Sequence, residues 1–126
     1  MPNISSKPTQ LPEELGMYVD TLRQRHEAIR EVWVLGPKTS DETGRRGEWD
    51  LLAFADERTL SALERDESVH RDDVSFLVVI DGERFASAFG RPRSGRLSDI
   101  EWRLENMHSA SYVAEGSTRE RAVRVR

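Results

Sequence analysis

Residues 31–54 have the sequence EVWVLGPKTSDETGRRGEWDLLAF and contain the pattern on which the predicted fold depends. Residues 31–35 are mostly β-branched, aromatic or aliphatic, and Gly36 ends the run, which is typical of a short buried strand. Residues 37–47 are polar and rich in turn formers, so they predict a loop. Residues 48–55 predict a second strand, because apolar and aromatic side chains return there. The segment therefore predicts two strands joined by a long polar loop.

An amphipathic helix is predicted over residues 12–29, before the first of these strands. Pro12 suits the first helical position, where its missing N–H removes no hydrogen bond. Glu13 and Glu14 follow in the first turn, where negative charge complements the helix dipole. The side chains that recur at steps of three and four residues form a single stripe, and they are Leu15, Val19, Leu22, His26 and Ile29.

Downstream of the second strand, the pattern changes to helix and then back to strand. Residues 56–66 predict a short helix, and residues 71–80 predict a third strand that ends at a turn. Residues 91–98 predict a loop. The apolar residues that then alternate with charged ones, as in a half-exposed strand, are Ile100, Trp102 and Leu104.

The order of these elements predicts an α/β or α+β fold with a mixed sheet of about four to five strands, flanked by the N-terminal helix and one further helix. A chain of 126 residues is long enough for one domain. We expect residues 11–115 to form that domain, with a β-rich C-terminal part, and residues 1–10 to be a flexible tail. Residues 116–126 carry few apolar side chains and are expected to be a disordered tail or a weakly held edge strand.

The composition excludes several classes of function. Nineteen basic and 23 acidic side chains give a net charge of −4, which argues against general nucleic-acid binding. The absence of cysteine excludes disulfides and Cys-ligated metal sites. No apolar stretch has the length of a membrane span and the first residues lack the pattern of a secretory signal, so we expect a cytoplasmic protein with no membrane partner.

Two acidic residues open the second predicted strand. Because strand side chains alternate, Glu48 and Asp50 point to one face, about 6–7 Å apart along the strand. Carboxylates at this spacing can share Mg²⁺ with the phosphates of a substrate. The preceding loop has cations and free amides that suit a polyphosphate, and the residues that we call the loop cations are Lys38, Arg45 and Arg46. In the alternative interpretation, the two carboxylates lie on the solvent face of an edge strand and the loop is only solvated.

This layout resembles the nucleotidyltransferase superfamily, which has the DNA polymerase β-like fold, and in particular its small, minimal-type members. The family motif is an apolar residue and Gly, then a loop, then an acidic–apolar–acidic–apolar strand. Leu35–Gly36 matches the first part and Glu48–Trp49–Asp50–Leu51 matches the second. The two acids lie 12 and 14 residues after Gly36, as in small family members. The resemblance covers residues 12–81 and includes the helix and strand that follow the motif.

The resemblance implies the transfer of a nucleoside monophosphate from a nucleoside triphosphate to a hydroxyl group, with Mg²⁺ as the cofactor. Glu48 and Asp50 would then hold the metal and act in catalysis. Asp73 would be the candidate base. Gly36 and the loop cations would contact the nucleotide.

Three departures from the family pattern predict that this activity is weak or lost. Pro37 stands where the family has Ser or Gly, and it offers neither an N–H nor a hydroxyl to a phosphate. Glu48 is one methylene longer than the Asp that is commoner there. Ser75 stands where the third acid is expected, and Asp73 could replace that acid only if the strand were shifted by two residues.

Two alternative functions remain open from the sequence. The chain could be a non-catalytic protein-interaction module on the same fold, for example an antitoxin-like partner of a helical protein, a role that the resemblance also includes. It could instead be a small-molecule-binding α+β protein that is unrelated to the family. Metal-dependent nucleotide binding would separate the nucleotidyltransferase hypothesis from both alternatives.

Overall fold

The computed structural model describes residues 13–36, 49–113 and 119–126. These ranges contain two α-helices, α1 (Glu13–Arg25) and α2 (Glu57–Arg65), and two short 3₁₀ turns, Glu67–Val69 and Leu97–Ile100. They also contain eight strands. In chain order the strands are β1 (Glu31–Leu35), β2 (Trp49–Phe54), β3 (Val74–Val79), β4 (Arg84–Phe89), β5 (Ser94–Arg96), β6 (Arg103–Asn106), β7 (Ser109–Val113) and β8 (Arg119–Arg124).

The eight strands form one mixed sheet in the order β5-β4-β3-β2-β1-β8-β7-β6. β2 and β3 are parallel and are connected through α2, whereas the other neighbouring pairs in the described ranges are antiparallel. β8 lies between β1 and β7, so it joins the β6–β7 hairpin to the rest of the sheet. The sheet curls into a half-barrel. Strands from the two ends of the described chain are therefore neighbours in space.

Both α-helices pack on one face of the sheet, which we call the helix face. Val19 and Leu22 of α1 and Leu63 of α2 are fully buried in the core on this side. The side chain of Asp56 caps α2 by accepting a hydrogen bond of 2.8 Å from the backbone N–H of Thr59. This cap satisfies one of the N–H groups that have no partner within the first turn of a helix.

The opposite face carries a second core, rich in aromatic side chains, and we call it the aromatic face. Trp33 of β1 meets Trp102 edge-on, with the ring centroids 5.2 Å apart. The ring centroids of Phe54 and Tyr112 lie 6.2 and 6.4 Å from that of Trp102. Because these rings come from β1, β2, β7 and the segment before β6, the curl of the sheet is what brings them together.

The predicted fold class is wrong in its number of strands and in its balance of helix and sheet. The sheet has eight strands, whereas about four to five were expected between flanking helices. Most of the additional strands lie within residues 84–124, where no long apolar run marks them. Residues 119–124, expected in a disordered tail or at a sheet edge, form β8 and are paired on both sides.

Several element boundaries also differ from the prediction. α1 ends at Arg25, four residues earlier than expected. The predicted loop over residues 91–98 contains β5 and the start of the second 3₁₀ turn, and Trp102 precedes β6 instead of lying within a strand. Within the described ranges, no helix has both the length and the apolar character that a membrane crossing requires.

Candidate functional site

Four residues that bear on the predicted site lie at one end of the sheet. β1 runs antiparallel to β2 and to β8, and β2 runs parallel to β3, so the end of β1 is level with the beginnings of the other three strands. Gly36 follows β1 directly, and Asp50, Ser75 and Glu120 each lie second in their strands. We call this region the Gly36 end of the sheet. It is the end at which the predicted site would have to form.

Asp50 lies half-buried on the aromatic face of β2. Leu52 and Phe54, which share its side of the strand, belong to the core of that face. Its partner in the parallel β2–β3 pair is Ser75. The Ser75 hydroxyl accepts a hydrogen bond of 3.0 Å from the backbone N–H of Arg91. The family resemblance implies an acid at this position next to Asp50. The position is occupied instead by a serine hydroxyl, which is hydrogen-bonded to the backbone of the β4–β5 connection.

Asp73 makes an ion pair on the helix side of the sheet. Its two carboxylate oxygens accept hydrogen bonds of 2.9 and 2.7 Å from Arg71. The Arg71 guanidinium lies 5.1 Å from the centre of the Tyr18 ring, and Tyr18 belongs to α1. Burial raises the pKa of Tyr18, while Arg71 lowers it and Asp73 raises it. β3 begins only at Val74, so the alternation of its side chains does not extend to Asp73.

The structure therefore does not bring Asp73 together with Asp50. The backbones are close, because the N–H of Trp49 donates a hydrogen bond of 2.8 Å to the carbonyl of Asp73. The Asp73 carboxylate, however, raises the pKa of Tyr18 on the helix side. The Asp50 carboxylate instead raises the pKa of Tyr112 on the aromatic face. Two acids on opposite faces of a sheet cannot serve the same metal ion or the same reacting group.

Gly36 is closely surrounded by β7 and β8. Its backbone N–H donates a hydrogen bond of 3.0 Å to the carbonyl of Arg121. Its φ is +72°, a conformation that side chains with a Cβ rarely adopt. A Cβ at this position would lie 3.1 Å from Oε1 of Glu120 and 3.4 Å from the phenolic oxygen of Tyr112. The absence of a side chain at Gly36 thus leaves room for groups of the protein itself.

Among the described residues, the charges that influence Tyr112 beside Gly36 are predominantly negative. Burial raises the pKa of Tyr112 well above its usual value, so this phenol is neutral near pH 7. Glu120 and Asp50 raise that pKa further, because a second negative charge beside them is unfavourable, and Arg93 lowers it. Two carboxylates and one guanidinium of the described residues therefore shift the pKa of the same phenol, and these three groups together disfavour a triphosphate.

The remaining predicted site residues lie outside the described residues. These are Glu48, the loop cations Lys38, Arg45 and Arg46, and also Pro37. Within the described ranges, no group of three or more His, Asp or Glu side chains is arranged to hold a metal ion. Of the two described carboxylates that the resemblance assigns, Asp50 lies on the aromatic face at this end and Asp73 lies on the helix side. Magnesium binding by Glu48 and Asp50 remains a prediction.

Glu120 and Tyr112 were not predicted as residues of this end of the sheet. They are cross-strand neighbours in the β7–β8 pair and are far from residues 36–50 in sequence. The one sequence signal for β8 is a weak alternation of side chains, in which Glu120 and Ala122 share the aromatic face and the arginines on either side of Glu120 do not. That pattern indicates a strand but not the strand with which it pairs.

Comparison of the chain with protein-family models, curated proteins and solved structures finds no match. The resemblance to nucleotidyltransferases therefore rests on the residues of the motif alone.

Proposed function

We propose that the protein is a non-catalytic protein-interaction module. The observation that carries this proposal is the way in which β8 closes the Gly36 end of the sheet. The resemblance assigns Gly36 to nucleotide binding, but its N–H donates a hydrogen bond to the carbonyl of Arg121, and the space beside it is bounded by the carboxylate of Glu120. A triphosphate at that position would lose the hydrogen-bond donor and would be repelled by the carboxylate.

The surroundings of the predicted base also support a non-catalytic role. Nucleotidyl transfer needs phosphates organised by a metal and a base that removes the proton of the acceptor hydroxyl. Asp73 is held by two hydrogen bonds from Arg71 on the other side of the sheet from Asp50. Ser75, which is opposite Asp50, cannot replace a carboxylate as a metal ligand of this kind.

The far edge of the sheet is the surface on which we expect a partner protein. The side chains of Leu104 and Met107 in the β6–β7 hairpin are 65% and 71% exposed, and both are large and apolar. Neighbouring exposed apolar side chains at a sheet edge are typical of protein-interaction sites. This surface lies on the β6–β7 hairpin, which forms one edge of the described sheet, whereas the Gly36 end is formed mainly by β1, β2, β3 and β8.

Magnesium-dependent nucleotide binding is the second candidate function, and the position of Asp50 near the beginning of β2 favours it. A two-dimensional amide NMR titration with Mg²⁺ and each nucleoside triphosphate tests the two candidates directly. We expect no shifts confined to the Gly36 end in the wild-type protein. Shifts there that require Mg²⁺ and disappear in Asp50→Asn would overturn the proposal.

The variant Glu120→Gln tests the physical reason for the proposal. It keeps the size of the side chain beside Gly36 and removes the charge. If the carboxylate excludes phosphate, this variant should bind a nucleoside triphosphate more tightly than the wild-type protein. Equal absence of shifts in both proteins would assign the exclusion to the bonded N–H of Gly36 instead of to the charge of Glu120.

A further inference from the structure

We propose that β6 pairs with β6 of a second copy of this chain, in an antiparallel arrangement with a two-fold axis at Leu104. This inference rests on the proposed function, because it names the partner of the exposed sheet edge. It extends that proposal from a general interaction surface to a specific register of two identical strands.

In the part of the chain that the structure describes, β6 provides an open sheet edge. It is the last strand in the sheet order, and the side chains of all four of its residues are exposed. Among the strands that the structure describes, β6 is paired with β7 on one side only. The backbone N–H and C=O groups on the outer side of such a strand are a template for pairing with another strand.

The sequence of β6 is complementary to itself in one orientation. In an antiparallel pair centred on Leu104, each Leu104 faces its equivalent, and Arg103 faces Glu105 of the partner subunit. Opposite charges across neighbouring strands stabilise such a pair, whereas a parallel in-register pair would place like charges opposite each other. The charge pattern therefore selects a second copy of β6 in the antiparallel orientation.

Arg103 and Glu105 lie on the same face of the hairpin, as this pairing requires. The carboxylate of Glu105 lies 3.5 Å from Nε of Arg121. Arg121 pairs with Ser111, and Ser111 pairs with Arg103, so these residues form one row across β8, β7 and β6. Arg103 and Glu105 are 68% and 38% exposed at their side chains, which leaves both accessible to a second copy.

The local geometry limits the pair to a short ladder. The register between β6 and β7 shifts between Leu104 and Asn106, as at a β-bulge that includes Glu105, which limits the length of a continuous ladder. A two-fold arrangement uses the same edge of both copies and leaves no β6 edge for a third. Because β6 has four residues, the pair buries much less than the roughly 1,600 Å² of a standard interface. We therefore expect a weak, concentration-dependent dimer.

Sedimentation velocity over a wide range of protein concentration tests the proposal, and charge exchange tests the register. Arg103→Glu places two acidic residues opposite acidic residues of the second copy, and Glu105→Arg places basic residues opposite basic ones. We expect the dimer dissociation constant of each variant alone to be roughly tenfold higher than that of the wild-type protein. An equimolar mixture of the two variants should dimerise again, because every facing pair is then of opposite charge.

Two further variants complete the design. Arg91→Glu makes the same change of net charge near the connection between β4 and β5, away from β6, and should leave the dimer unchanged. Leu104→Lys places two ammonium groups at the two-fold axis and should abolish dimerisation. All these residues are exposed, so circular dichroism should show that each variant is folded.

The proposal is overturned if the wild-type protein is a monomer at every concentration, or if the mixture of charge variants stays monomeric. A dimer that forms equally well with Arg103→Glu would also overturn it, because another surface would then be responsible. A monomeric wild-type protein would leave the proposed non-catalytic function standing, with a different chain, such as a helical protein, as the partner. That function fails only if Mg²⁺-dependent nucleotide binding is found at the Gly36 end.

Discussion

The backbone N–H of Gly36 and the carbonyl of Arg121 form a hydrogen bond of 3.0 Å that ties the end of β1 to β8. This bond lies at the point where the predicted nucleotide site and the unexpected eighth strand meet. The same glycine faces Oε1 of Glu120 and the phenolic oxygen of Tyr112. The contact between Gly36 and β8 therefore stabilises the sheet and also limits the access of a nucleotide to Gly36.

Replacement of Gly36 by alanine should destabilise the fold more than a positive φ alone explains. We expect Gly36→Ala to lower the free energy of unfolding by about 2 kcal/mol, because a left-handed conformation is unfavourable for alanine and the new Cβ crowds Glu120. Gly82 is the matched control, since its φ is +85° and a Cβ added there would have no atom within 4 Å. Gly82→Ala should cost about 1 kcal/mol.

Urea denaturation of both alanine variants measures the difference. The double variant Gly36→Ala, Glu120→Ala should recover part of the loss, because it removes the closer of the two contacts. Equal losses for Gly36→Ala and Gly82→Ala would show that the packing of Glu120 beside Gly36 does not contribute to stability.

Trp102 should be the half-buried residue on which the aromatic face depends most. Its ring packs against those of Trp33, Phe54 and Tyr112, which come from three different strands. We expect Trp102→Ala to lower the free energy of unfolding by about 2–4 kcal/mol, because the contacts of a large ring are lost and a cavity remains. Met17→Ala, at a side chain that is 63% exposed, should change it by less than about 0.5 kcal/mol.

Chemical denaturation followed by circular dichroism compares these two variants without relying on tryptophan fluorescence. If Trp102→Ala lowers the free energy of unfolding by less than about 1 kcal/mol, the curvature of the sheet depends on backbone pairing and not on the packing of Trp102.

Asp66 should contribute stability that disappears in acid. Its carboxylate binds Arg25 at 2.9 Å, His26 at 2.8 Å and the Ser68 hydroxyl at 2.6 Å. The hydrogen bonds from Arg25, then from Ser68 and His26, hold the pKa of Asp66 well below its usual value. For a carboxyl with a lowered folded-state pKa, the stabilisation is fully present above the unfolded value of about 3.9 and is lost as the pH falls below it.

The measurement is the free energy of unfolding of wild type and Asp66→Asn at neutral pH and at successively lower pH. The wild-type protein should be the more stable at neutral pH, and the difference should shrink as the pH falls below about 4. Ser68→Ala, which keeps the carboxylate and its bond to Arg25, should retain most of the pH dependence. A difference that stays constant down to low pH would contradict the role of the Asp66 charge.

The fold could be predicted where local patterns are strong. The stripe of Leu15, Val19 and Leu22 marks α1, and the apolar runs of β1, β2 and β3 mark three neighbouring strands. The position of β8 inside the sheet could not be predicted, because in the sequence RERAVR only Ala122 is buried. That strand is held by pairing with β1 and β7, and its own local sequence contains no information about those distant partners.

The candidate site could be predicted only in part for the same reason. The spacing from Gly36 indicates Asp50, and Asp50 does lie at the same end of the sheet. This spacing could not place Asp73, because β3 begins one residue later and Arg71 holds the carboxylate on the helix side. Glu120 and Tyr112 reach the site through strand pairing across the whole chain, which no spacing rule in residues 31–54 indicates.

The position of β8 between β1 and β7 also sets the order of events during synthesis. β1 emerges from the ribosome long before residues 119–124 exist, so the edge of β1 that β8 covers stays open while the intervening strands are made. Pairing between such distant segments is slow, and an unpaired edge is prone to aggregation in the meantime. The β6–β7 hairpin cannot join the rest of the sheet until β8 arrives. Closure of the sheet is therefore a late event in the life of the nascent chain.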